Sequence, residues 1–210
     1  MNQEKLHIIF QKLFHQFSQD EQLLTEYWQE LLGFHQEKHR FYHNLTHLEN
    51  MFAVWAANEH AFELNKPSIL KWAIFYHDVI YDVSRNPKNE ERSADLAVER
   101  LQRLNISNED QMLCYQLIVS TQKHQPLVKG MENKLLIDLD LEILSKSSEA
   151  YLLYTQQIRK EYQRYPDFLY KRGRKKAMKQ FLERPRIYHT DHFYEKLEEK
   201  ARRNLRNEEG

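Results

Sequence analysis

From Ile69 to Asp82 the chain reads Ile-Leu-Lys-Trp-Ala-Ile-Phe-Tyr-His-Asp-Val-Ile-Tyr-Asp, apolar on nearly every side of a helix beginning near Ser68. A helix without a polar face is a buried one, so this segment belongs at the centre of a fold and the rest of the chain must wrap it. His77 and Asp78 go inside with it. An ionised carboxylate taken out of water without a partner is costly, and a sequence keeps one there only against a counter-charge or a metal. A metal is the more economical of the two.

What wraps that segment is expected to be helical. Four glycines and five prolines in 210 residues leave few tight turns, while apolar residues recur at spacings of three and four. Ala94, Ala97, Val98, Leu101 and Leu104 form one apolar stripe, and Tyr151, Tyr154, Ile158 and Tyr162 another; both read as core-facing helices. Boundaries are marked by Asn65-Lys66-Pro67-Ser68, by Arg85-Asn86-Pro87, by Ser107 with Asp110 three residues later, by Pro166 and by Pro185, which divides the chain into about eight or nine helices. With 41% hydrophobic and 12% aromatic residues, one domain with a substantial core is affordable. The expectation is an all-α, compact single-domain bundle over residues 1–210, without internal repeats or a linker.

Charge and cysteine content narrow the function classes. Thirty-one basic residues balance thirty-one acidic ones, so no global field draws the protein to nucleic acid or a membrane and any recognition is local. The single cysteine, Cys114, lies in the apolar run Met112 to Val119, which excludes an internal disulfide, a multi-cysteine zinc knuckle and an iron–sulfur cluster and fits a reducing cytoplasm. The opening MNQEKLHIIFQKLF reads as an amphipathic helix rather than a secretory signal, and no apolar run is long enough to span a membrane. The expectation is a soluble cytoplasmic protein. The phosphate-binding glycine loops, the serine-hydrolase elbow and His-Glu-x-x-His are all missing. The basic clusters at 171–176 and 200–206 read as solvated helix faces, since neither interleaves aromatics suited to base stacking.

Two further segments can complete a metal site around His77 and Asp78. In Tyr42-His43-Asn44-Leu45-Thr46-His47 the histidines are four apart, which on a helix puts them on one face; His35 and His39 continue the spacing, so a chance histidine stripe remains open. Two or three imidazoles and a carboxylate suit Zn, Mn, Fe or Ni rather than Ca. Asp138 and Asp140 sit two apart in the apolar segment 135–141 and point to nearly opposite faces, so one of them can reach the metal while the other caps or pairs with a basic residue.

This combination resembles the HD superfamily of metal-dependent phosphohydrolases. The ordered phrases Tyr42-His43-Asn44 with His47, Phe75-Tyr76-His77-Asp78-Val79-Ile80-Tyr81-Asp82, Asn89-Glu90-Glu91-Arg92-Ser93-Ala94, Thr121 with His124, Asp138-Leu139-Asp140-Leu141, Ile158-Arg159-Lys160-Glu161-Tyr162 and Gly173-Arg174 are similar to a bacterial group within it and run over roughly residues 40 to 204. The resemblance implies a divalent metal (Mn, Fe, Co, Ni, Zn or Mg) held by His47, His77, Asp78 and an aspartate, Asp140 in preference to Asp138, with hydrolysis of a phosphate ester or anhydride by a metal-activated water. The implied substrate is a small phosphorylated molecule such as a nucleotide. Tyr-His-Asn-x-x-His is also similar to the motif of cyclic-nucleotide phosphodiesterases, which makes His43 a general acid, although in simpler HD enzymes the first histidine is itself a ligand. Asp82 and Glu90 become candidates for a second ion or for orienting the water, with helix capping as the plainer role for Glu90 and Glu91. Asn44, Glu91, His124, Arg159 and Arg174 become candidates for touching substrate, against a default of surface pairing for the arginines. Two other readings stay open: a non-catalytic metal- or nucleotide-binding module on the same scaffold, and a di-iron oxygenase using Asp82 and His124 as extra ligands. Oligomeric state, a homodimer included, is not fixed by the sequence.

Overall fold

A computed structural model describes residues 3–84 and 88–209; the boundary expected at Arg85-Asn86-Pro87 lies outside them. Among the described residues there are ten α-helices and no strand, one or two more helices than the turn signals imply. They are α1 (Gln3–Phe14), α2 (Glu21–His35), α3 (Leu45–Asn58), α4 (Pro67–Tyr76), α5 (Asn89–Arg103), α6 (Asn108–Ser120), α7 (Met131–Asp140), α8 (Ser148–Glu161), α9 (Asp167–Leu182) and α10 (Asp191–Glu209), with short 3-10 turns at Glu59–Ala61 and Leu141–Ser145. None is long and apolar enough to cross a membrane.

The starts follow the chemistry of helix ends. Asp20, Asn44, Ser107 and Ser147 each accept a backbone N–H of the first turn, filling one of the donors a helix leaves unpaired there. Pro67 opens α4, where its missing N–H costs nothing.

Helix α4 is the axis of the bundle. Every residue from Ile69 to Tyr76 except Lys71 is buried, as an apolar circumference requires, and α4 packs against α5, α6 and α7. The amphipathic α1 covers it: Phe10 lies 5.9 Å from Trp72 and 5.1 Å from Phe75, centroid to centroid. Trp72→Ala would cost about 3–5 kcal/mol on the usual scale for such truncations. The stripe on α5 is buried at Ala94, Ala97, Leu101 and Leu104. On α8, Tyr151 and Ile158 are buried, while Tyr154 and Tyr162 are half-buried and face a cleft.

Two segments expected to be helical are not. Helix α4 ends at Tyr76, so His77 and Asp78 stand in the turn that follows it, and Asp82 is not a helical turn beyond Asp78. Helix α3 starts at Leu45 behind its Asn44 cap, so His43 precedes the helix that carries His47. The His35, His39, His43 series is therefore no stripe: His35 ends α2 and the other two lie in the loop after it.

His35 has its own consequence. It is 2% exposed; its Nδ1–H donates to the Leu31 carbonyl at 2.9 Å, its Nε2 has no partner, and burial pushes its pKa from 6.5 down to about 3. Below pH 6.5 the unfolded chain takes up a proton that the folded chain refuses, so this contribution to stability is complete above that pH and is lost as pH falls towards 3. The slope is about 1.4 kcal/mol per pH unit. Urea unfolding at pH 7 and pH 5 is expected to show an acid loss about 2 kcal/mol smaller in His35→Leu than in the wild type; identical losses would sink this account.

Candidate metal centre

The turn after α4, the first turn of α3 and the end of α7 meet at the floor of a cleft of about 520 Å³. His47 and His77, both buried, and the half-buried Asp78 form a group whose donor atoms could hold a metal ion. The two Nε2 atoms are 3.2 Å apart. Asp78 Oδ2 is 3.1 Å from His77 Nε2 and 3.9 Å from His47 Nε2, and Asp140 Oδ1 is 3.3 Å from His47 and 3.8 Å from His77. An ion held at about 2.1 Å by each donor would separate neighbouring donors by about 3.0–3.4 Å, and three of these five separations fall in that range. The tautomer also fits: His77 Nδ1 lies 3.0 Å from the Ile74 carbonyl, which can only accept, so Nδ1 carries a proton and Nε2 is the nitrogen that faces the cluster, with its lone pair free when the ring is neutral.

Electrostatics point the same way. Burial opposes charge on His77, but the Asp78 carboxylate outweighs it and raises the imidazole pKa to about 9. Burial likewise works to raise Asp78 and Asp140, yet the neighbouring histidines hold both well below the usual carboxylate range. Two half-buried carboxylates thus favour positive charge, which protons on the histidines or a metal can supply.

Residues from elsewhere in the chain aim this floor. The Arg40 guanidinium, buried, donates to the carbonyls of Asp78 at 2.6 Å and Val79 at 2.8 Å and to the His43 carbonyl at 3.3 Å, so one side chain fixes the ligand-bearing turn to the loop before α3. On α5, Ser93 Oγ bonds both the N–H and the carbonyl of Ile80, and the Asn89 amide does the same for Asp82. That is what Asn89 and Ser93 of the 89–94 phrase do. Glu90 faces the cleft, its pKa raised by burial.

His43 is oriented by a residue the sequence left without a role. Glu161, buried at the end of α8, accepts the backbone N–H groups of Phe41, Tyr42 and His43 on Oε1 at 2.7–2.9 Å. Its Oε2 accepts His43 Nδ1–H at 2.7 Å and the Tyr81 hydroxyl at 2.8 Å. His43 and those N–H groups outweigh burial and hold Glu161 at about 2; the carboxylate in turn raises His43 against burial. His43 Nε2 is left facing the cluster, 4.0 Å from Asp78 Oδ2. Glu161 lies three residues after Ile158 and seven after Tyr154, on the apolar face of its helix, and an acid in that position was the signal to follow. Nothing comparable marks Arg40, which pairs with Glu37 at 2.8 Å and spends the rest of its guanidinium on backbone carbonyls.

The other expected site residues divide into two sets. His124, in a left-handed backbone conformation with φ 47°, places Nε2 3.2 Å from Asp140 Oδ2 and so joins the cluster's edge. Arg174 lines the cleft but is held by Glu208 at 2.8 and 3.0 Å. Asp82 also lines it, with its carboxylate taken by Ser84. The remainder are engaged elsewhere. Asn44 caps α3, Glu91 meets Gln122 at 3.4 Å, and Arg159 pairs with Asp167 and the carbonyls of Tyr162 and Tyr165. Asp138 turns away from Asp140: its carboxylate accepts the N–H groups of His189 and Thr190 and the Thr190 hydroxyl at 2.7–2.8 Å, pinning the start of α10 to α7.

The class that fold and cluster define is a single-domain, all-α protein with a His-His-Asp group able to hold a metal, an arrangement compatible with an HD-type fold. Comparison with protein-family models, with curated proteins and with solved structures gave no significant match.

Proposed function

We propose that the protein is a metal-dependent phosphohydrolase of the HD type that cleaves a small phosphate ester or anhydride in this cleft. The observation that carries the reading is the convergence of His47, His77, Asp78 and Asp140 beside a histidine that a buried carboxylate holds in place. A divalent ion in such a ligand set supplies a Lewis acid for the phosphoryl oxygens and lowers the pKa of a water. His47 and His77 would hold such an ion through their Nε2 atoms, and Asp78 and Asp140 would offset its charge. In hydrolysis the water oxygen bonds to phosphorus, the bond from phosphorus to the leaving oxygen breaks, and that oxygen needs a proton. His43, carrying its second proton on Nε2 and held through Nδ1 by Glu161, is placed to give it. Glu90 and His124 line the same cleft, His124 beside Asp140, and could hold or move a proton there.

A panel of phosphate monoesters, diesters and nucleotides, assayed with protein stripped of metal and reloaded with Mn, Fe, Co, Ni or Zn, tests the reading. Turnover that appears on reloading and is lost in His47→Ala is expected. A protein that retains metal yet cleaves nothing in the panel would be a binding module instead.

A further inference from the structure

We propose that the outward face of α9 docks the protein onto an anionic lipid surface, with Arg172, Lys176 and Lys179 against the headgroups and Phe168 and Leu169 entering the bilayer interface. The inference goes beyond the chemistry of the cleft and does not depend on it.

The first ground is how little of α9 the fold uses. Of its sixteen residues Met178 alone is buried, and Arg174, Ala177, Met178 and Phe181 form a wall of the metal-floored cleft. Phe168, Arg172, Lys176 and Lys179 follow one another at steps of four, four and three residues, which puts them together on the other side of the helix. All four are exposed, Phe168 by 70%, and Leu169 beside them is 46% exposed.

Charge supplies the second ground. Residues 168–182 hold six lysines and arginines and no acid. Of the acids that bound this stretch, Asp167 is taken by Arg159 at 2.6 Å, and Glu183 meets Lys179 at 3.6 Å with both side chains exposed, a pairing that offsets little. Arg174, turned inward, is matched by Glu208. Setting those six apart from the thirty-one basic residues leaves twenty-five against thirty-one acidic ones in the rest of the chain. An anionic surface therefore attracts this helix and repels the remainder, which fixes how the molecule approaches it.

The third ground separates a bilayer from other polyanions. A phosphate backbone or an acidic polypeptide gives Phe168 and Leu169 nothing, whereas a membrane interface removes them from water while the neighbouring cations stay at the headgroups. No aromatic stands among the cations from 171 to 179 on which a base could stack. Each lysine or arginine brought to an anionic bilayer strengthens binding about fivefold, and full burial of a phenylalanine by about tenfold or more.

Sedimentation of the 210-residue chain with phosphatidylcholine vesicles, with and without about one-third phosphatidylglycerol, tests the assignment; a single-stranded oligonucleotide and polyglutamate are titrated in parallel. Binding to the anionic vesicles is expected to be about tenfold or more tighter than to the neutral ones, to weaken about tenfold or more in Arg172→Glu with Lys176→Glu, and about fivefold in Phe168→Ala. Lys5→Glu with Lys12→Glu makes the same change of net charge on α1, which packs against α2, α3 and α4, and is expected to leave binding unchanged within about twofold. No preference for anionic vesicles, an equal loss in the α1 variant, undiminished binding in Phe168→Ala, or tighter binding to the oligonucleotide or to polyglutamate would each overturn it.

Discussion

Saturating the protein with its preferred divalent ion is expected to raise its melting temperature by roughly 8–16 °C. An ion present at about a thousandfold excess over its dissociation constant stabilises the folded state by about 4 kcal/mol, and a domain of this size gains about 2–4 °C per kcal/mol. The physical source is the charge of Asp78 and Asp140, which the neighbouring histidines offset in the metal-free protein. Asp78→Ala and Asp140→Ala should each lose most of the metal-induced gain, because each deletes a donor within 3.3 Å of a histidine Nε2. Asp138→Asn should behave oppositely. Its amide cannot accept all three bonds from His189 and Thr190 without strain, so the resting protein melts lower, by about 1–3 kcal/mol for a disturbed buried network, while the gain on adding metal persists. Differential scanning calorimetry with and without metal reads all four proteins. Equal gains in all of them would remove the metal centre from this site.

The second large effect is expected at Glu161. In Glu161→Gln the amide retains one acceptor for the N–H groups of residues 41–43 but presents an NH2 where the His43 ring and the Tyr81 hydroxyl both donate. Donor then faces donor, His43 loses its fixed orientation, and the counter-charge that favours its protonated form is gone. Phosphate-ester turnover should fall in kcat by about a hundredfold or more, within the range general acid catalysis supplies, with KM changed less than threefold and metal retention intact. A variant in which KM rises and kcat holds would make Glu161 a support for the substrate pocket rather than a positioning residue for His43.

How much of this was legible beforehand depends on whether the signal was local. The buried α4, the stripe on α5 and the Ser107 cap follow from spacing and end chemistry within a dozen residues. His77-Asp78 announced itself because an ion inside an apolar segment needs a reason. By contrast, α4 stops at Tyr76 although the apolar pattern runs on, because the following turn is held by Arg40, Asn89 and Ser93 from two distant segments. Periodicity had no access to those bonds. The same holds for His43, which a helix-based spacing places on one face with His47 and which the Asn44 cap puts outside the helix.

The sequence by itself determined that the chain is all-helical, which helix is central, and which residue types could gather around a metal. Those properties come from burial and periodicity, which each short stretch carries alone. Only the tertiary structure decided which of Asp138 and Asp140 faces the histidines, that Arg174 is already matched by Glu208 and Asp82 by Ser84, and that Glu161 stands behind His43 from 118 residues away. A side chain's partner depends on where the other helices dock, and the docking is set by the whole core at once rather than by any one segment.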